Sequence, residues 1–331
     1  MAISNEQNSD DKPISSIPSS LPPPGLSINQ LAALHSRERL LVHPLRWSDR
    51  QVALLDCRIH FFEDAGSAAS HGNADTNTDP LAPKSRLELF LADNLRLRFT
   101  WDEFIDITRR LLRPPGGHLS VENQQITSLY FNKRPCANIM YCRISLPPKS
   151  PTRRPITFAC FNHDETGLVR RMFFSPVKNP IYGMNGPGIY RQTTLLRLHR
   201  PADPLKDPFL VAVLISLAQQ KRRRAPKPES RSPSFKVRLL FPTGKDSKSF
   251  NIFMANVQAS FLDKLDFPHK EPAVNSGLDI YHRQIPTLPF QTFPRRLRRA
   301  LTLDFCGETK GAVGTGGLRR RIGKKRVRAD I

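Results

Sequence analysis

The five cysteines of this 331-residue sequence, Cys57, Cys136, Cys142, Cys160 and Cys306, are odd in number and scattered. There is no CxxC pair and no Cys–His cluster at zinc spacing, which argues against a structural metal site. Free thiols of this kind suit a reducing compartment. Long apolar runs are missing too: no stretch reaches the roughly 18–20 residues needed to span a bilayer. The opening "MAISNEQNSDDKP" is polar and acidic, with none of the apolar core of a secretory signal. The expectation is a soluble intracellular chain with no membrane partner.

Acidic residues are the other shortage. Asp and Glu number 29 against 51 Lys and Arg, a net charge of +22. The excess gathers towards the C-terminus, where residues 295–331 hold 12 basic and 3 acidic groups. Such a charge favours encounter with polyanions by long-range attraction that salt screens. Nucleic acid is the commonest partner of that kind, and an acidic protein is the other.

Residues 1–28 are Ser- and Pro-rich with little to bury, and read as disordered. A mixed α/β domain, of the α+β kind with hairpins packed on a few helices, is expected over 29–290. It carries a small-residue insert at 65–84 and a possible sub-boundary at the Pro-rich join near 201–206. "NQLAALHSRERLL" has helical spacing, and "RQVALLDCRIHFFED" reads as a strand. "RLELFLADNLRLRF" alternates leucines about Asp93-Asn94 as a hairpin does. "TWDEFIDITRRLLR" follows with a Thr100–Glu103 capping box and an apolar face at Trp101, Phe104, Ile105, Thr108, Leu111 and Leu112. Strands are predicted at 137–146, 156–162 and 193–200. In "DPFLVAVLISLAQQKRRR", Asp207 is a good N-cap and Pro208 sits at the favoured first helical position. Phe209 to Ala218 is apolar nearly all round, so this helix should be buried on every side. "SFKVRLLFP" and "SFNIFMANV" pair across "TGKDSK" as a second hairpin. "ASFLDKLDFP" is a short helix and "GLDIYHRQIP" a last strand. Residues 291–331 become basic and then glycine-rich, a tail.

Taken together, "DPFLVAVLISLAQQKRRR", "FKVRLLFP", "FNIFMANVQASFLDKLDFP" and "GLDIYHRQIP" resemble an ordered block found in a large set of uncharacterised fungal proteins. In those proteins a buried helix precedes a strand pair, a short FLxKLDxP-type segment and a final Tyr-containing strand. The resemblance covers residues 207–286. It implies an α+β or α/β fold and carries no catalytic residue, ligand or cofactor.

Motifs for chemistry are sparse. In "PTGKDS" the Gly244-Lys245 pair lacks the P-loop's earlier Gly, since 239 is Leu, and its following Ser or Thr, since 246 is Asp. A turn between two strands is the simpler reading. "YGMNGPGIY" (182–190) is glycine-rich, but Pro187 interrupts it and no helix is expected after it for a pyrophosphate to cap. "NHDET" offers His163, Asp164 and Glu165 at a strand end, where neighbours point apart. "GETK" (307–310) has a nuclease-like spacing, but it sits in the glycine-rich tail. No G-x-S-x-G elbow exists, and His118 reads as a loop residue. No catalytic, cofactor-binding or metal-binding residue is assigned.

The basic runs remain. Lys221, Arg222, Arg223 and Arg224 have the composition of an import signal, and so do Arg319, Arg320, Arg321, Lys324, Lys325, Arg326 and Arg328. The plainer alternatives are a charged helix end for the first and a solvated tail for the second. These residues are the candidate nucleic-acid or import contacts. The expectation is a non-enzymatic protein, nuclear before cytoplasmic, whose tail touches nucleic acid without base specificity. A protein-interaction scaffold and a degenerate enzyme fold are the alternatives.

Overall fold

The computed structural model describes residues 25–62, 101–113, 119–147, 155–161, 163–175, 186–225, 233–242, 249–273 and 276–302. Seven strands form one mixed sheet: β1 (Cys57–Phe62), β2 (Ser120–Phe131), β3 (Arg134–Leu146), β4 (Ile156–Cys160), β5 (Ser234–Pro242), β6 (Ser249–Gln258) and β7 (Leu278–Pro286). Their order is β1-β7-β6-β5-β4-β3-β2. The β1–β7 and β4–β5 pairs are parallel and the other four antiparallel. The helices are α1 (Ile28–Leu34), α2 (Asp49–Leu54), α3 (Trp101–Leu112), α4 (His163–Phe173), α5 (Gly186–His199), α6 (Pro208–Arg224), α7 (Ala259–Asp266) and α8 (Phe293–Thr302). This is the mixed α+β body expected from the sequence.

Side-chain alternation splits the core into two layers, one on each face of the sheet. On β5, Val237, Leu239 and Phe241 point to one face and Leu240 to the other. On β6, Phe253, Ala255 and Val257 oppose Phe250, Ile252 and Met254. Central strands buried on both faces read as continuous apolar runs, as "SFNIFMANV" does. The first face is covered by α6, whose residues Pro208 to Gln219 are all buried. Its cap is as predicted: Asp207 Oδ1 accepts from the Phe209 N–H at 2.9 Å. The second face is covered by α3, through Ile105, Ile107, Leu111 and Leu112, and by α8, through Phe293, Leu297, Ala300 and Leu301.

Several local expectations are corrected. The segment read as one strand from Arg50 begins as α2, because Gln51 Oε1 takes the Ser48 N–H at 2.8 Å and starts a helical turn. Of residues 193–200, read as a strand on their Thr and Leu content, all but the last lie in α5. There the hydroxyls of Thr193 and Thr194 bond back to the Ile189 and Tyr190 carbonyls at 3.0 Å, which lets β-branched residues sit in a helix. The same helix begins at Gly186-Pro187, where only a loop was expected, since proline is tolerated in a first turn. His163, Asp164 and Glu165, expected at a strand end, open α4. Strand β2 was not expected: its first half is mostly polar, Gln124 has a positive φ, and the register shifts between Glu122 and Gln125. The ordered body also runs past 290, through α8 to Thr302. The insert at 65–84, the hairpin at 86–99, the Thr100 cap, residues 243–248 and residues 303–331 lie outside the described residues.

Candidate nucleic-acid interface

Two glutamines fix the C-terminal end of α6 to the sheet. The Gln219 side-chain amide makes both backbone bonds of Tyr130, accepting from its N–H and donating to its C=O, each at 2.8 Å. Gln220 Oε1 accepts from the Tyr141 hydroxyl at 2.8 Å. The four basic residues singled out from the sequence follow in the last turn of the helix. Lys221 Nζ donates to the Lys236 carbonyl at 2.6 Å. Burial, with the Arg238 guanidinium adding to it, brings its ammonium down to about 8. Arg222 Nη2 donates to Asp263 Oδ1 at 2.5 Å, and its Nη1 lies 3.5 Å from Asp266 Oδ2. The Arg223 guanidinium covers the Tyr130 ring. Arg224 is exposed. A receptor that reads extended basic peptide would meet a helical turn here, with three of its four cations already engaged.

The β2–β3 hairpin adds to the same end. Asn132 and Lys133 have φ of 48° and 61°, the two successive positive values of a type I′ turn. The Asn132 N–H donates to the Leu265 carbonyl of α7 at 2.9 Å. That turn holds the Lys133 ammonium 4.2 Å from the centre of the Phe267 ring, and Lys270 approaches the same ring at 4.6 Å. Gln219, Arg222, Arg223 and Asp266 line a cavity of about 230 Å3 between these elements. Burial raises the Asp266 carboxyl, against the pull of Arg222 and Arg223. The concave spot thus holds the guanidinium groups of Arg222 and Arg223 with the Asp266 carboxylate, while the ammonium groups of Lys133 and Lys270 gather on the Phe267 ring. Two aromatic rings, Tyr130 and Phe267, are interleaved among them. Such a surface can take a phosphate only in exchange for the carboxylates that now hold Arg222, with Arg223 turning from the Tyr130 ring.

Sequence reasoning found Lys221–Arg224 but not Tyr130, Lys133, Phe267 or Lys270, which arrive from other elements. The one local signal for Lys133 was its place in a two-residue turn, hidden because β2 itself was not foreseen. Arg319, Arg320, Arg321, Lys324, Lys325, Arg326 and Arg328 lie outside the described residues.

Two further polar groups sit deep in the body. Arg170 of α4 forks onto Asp207, with bonds of 2.8 and 2.6 Å, and both side chains are buried. His282 Nε2 bonds Asn251 Oδ1 at 2.9 Å between β7 and β6, and burial brings the imidazole down to about 4. The thiols of Cys57 and Cys142 are pushed up to about 12, and that of Cys160 well up, in each case chiefly by burial. Thiols held that high are poor nucleophiles at neutral pH. Among the described residues no group of three His, Cys, Asp or Glu is placed to hold a metal ion, and no helix is long and apolar enough to cross a membrane. Compared with family models, curated proteins and solved structures, the chain matches none of them.

Proposed function

We propose that the protein is a non-enzymatic binder of nucleic acid, attached through the phosphate backbone and without base specificity, with a nuclear location. The observation that carries this is the end of α6, where Arg222 and Arg223 line a cavity of about 230 Å3 and further cations, Lys133 and Lys270, flank the Phe267 ring after α7. The residues at 319–328 add a second basic segment in the same chain. Photo-crosslinking of the full chain to thiouridine-substituted RNA tests the reading. Crosslinked peptides are expected from 127–134, 219–224 and 263–271, and from 318–331. Crosslinks confined to α4 and α5, or none at all, would contradict it.

A protein-binding scaffold is the second reading, favoured by α4 and α5. Met172, Tyr190 and Leu198 are exposed at 69, 76 and 72 %, and no described residue of α5 is buried. Apolar groups displayed on two neighbouring helices suit a protein partner better than a polyanion. Recovery of partners from an extract with and without nuclease separates the two readings, since only the first loses its partners on nuclease treatment.

A further inference from the structure

Helices α3 and α8 lie together on the second face of the sheet, and their outer surface carries seven arginines and no lysine: Arg109, Arg110, Arg113, Arg295, Arg296, Arg298 and Arg299. The two helices are tied by Arg298, whose Nη2 donates to the carbonyls of Leu112 and Arg113 at 3.2 and 3.0 Å. In α3 the charge follows the helix dipole, with Asp102 and Glu103 in the first turn and Arg109 and Arg110 in the last. Asp106 pairs with both arginines.

Helix α8 does the opposite. "FPRRLRRALT" has no acidic residue, and Arg295 and Arg296 occupy its first turn, where the dipole already presents positive potential. Arg295 and Arg299 are four residues apart, a spacing at which like charges repel on a helix. Both are exposed, and neither forms an ion pair among the described residues. Meanwhile Phe293, Leu297, Ala300 and Leu301 pack into the core, so the helix is held by its apolar side while its outer side is electrostatically unfavourable. Arg296 is held by the Thr292 hydroxyl and the Leu288 and Pro289 carbonyls, but Arg295 and Arg299 break a local rule without an ion pair among the described residues, as is expected at a functional surface.

We propose that the arginine face of α8, extended by Arg113 of α3, is a second binding site for a phosphodiester backbone. This deepens the nucleic-acid reading and rests on it. The guanidinium fork matches phosphate oxygens two at a time, and its charge is always present. Every cation on this face is that residue type.

The test is the affinity of the full chain for a duplex DNA and for a single-stranded RNA between about 50 and 200 mM salt. It is compared across the unaltered chain, R295E/R299Q, R295K/R299K and a chain lacking 318–331. R295E/R299Q puts an acid in the first turn and removes the repulsion, so its melting temperature should be unchanged or higher. Its salt slope should fall by about 2, one for each lost phosphate contact. R295K/R299K should retain the slope, and the two nucleic acids show which backbone is preferred. A slope unchanged in R295E/R299Q but reduced by loss of 318–331 would overturn this site and leave the nucleic-acid reading standing. No salt-dependent binding by the unaltered chain would remove both. Displacement by poly-glutamate at equal charge concentration would overturn the assignment to phosphodiester.

Discussion

Lys133 is the residue at which binding and folding separate most cleanly. It holds a left-handed φ of 61°, which is costly for any side chain and easy for glycine. Lys133→Gly should leave stability unchanged or raise it by up to about 1 kcal/mol. It should also lower the salt slope of RNA binding by about 1, because one cation is lost beside the Phe267 ring. Thermal melting and a salt titration of the same preparation check both halves. His282 makes a separate prediction about pH. Its folded imidazole titrates at about 4, whereas an unfolded one does so near its ordinary 6.5. Between those values only the unfolded chain takes the proton, so stability should fall as the pH drops from about 6.5 to about 4. His43 and His199, also lowered chiefly by burial, act in the same direction, and Asp266, raised by burial, acts against it. Denaturant midpoints at the two ends of that window should differ less in His282→Gln than in the unaltered chain.

Helix α6 dominates the scale of elements. Leu214 is 0 % exposed, and Leu214→Ala should cost about 2–5 kcal/mol through the lost burial and the cavity left behind. Asp207→Ala should cost about 3–5 kcal/mol, because it leaves the Arg170 guanidinium buried without its carboxylate. Urea unfolding measures both. This helix was legible in the sequence for simple reasons: a side-chain cap, a proline in the first turn and ten residues of which only Ser216 is polar. The β5–β6 hairpin, α7 and β7 were legible too, since each is an apolar run bounded by turn residues. Strand β2 was not, because its exposed polar side chains and its bulge erase the two-residue period. Helix α5 was not, because Thr193 and Thr194 look like strand residues until their hydroxyls find helix carbonyls. The Arg170–Asp207 pair joins residues far apart in the chain, and nothing local announces it.

At the scale of the molecule, the sheet is closed on both faces by helices. Surplus positive charge is displayed where those helices end or turn outward: the C-terminal turn of α6, the β2–β3 turn and the outer side of α8. Of the candidate surface, the sequence showed Lys221–Arg224 and the run at 319–328. It could not show the cavity, because α6 and α7 must meet to form it. The described part of the body has few acids facing these cations, Asp263 and Asp266 at α6 and Asp106 at α3. A polyanion would supply the balance. The most direct measurement is the dependence of RNA affinity on salt for the full chain, alone and after removal of 318–331. Log affinity should fall steeply and linearly with log salt concentration, less steeply after the truncation as several phosphate contacts are lost. Affinity that does not respond to salt, or a slope identical in the two chains, would contradict it.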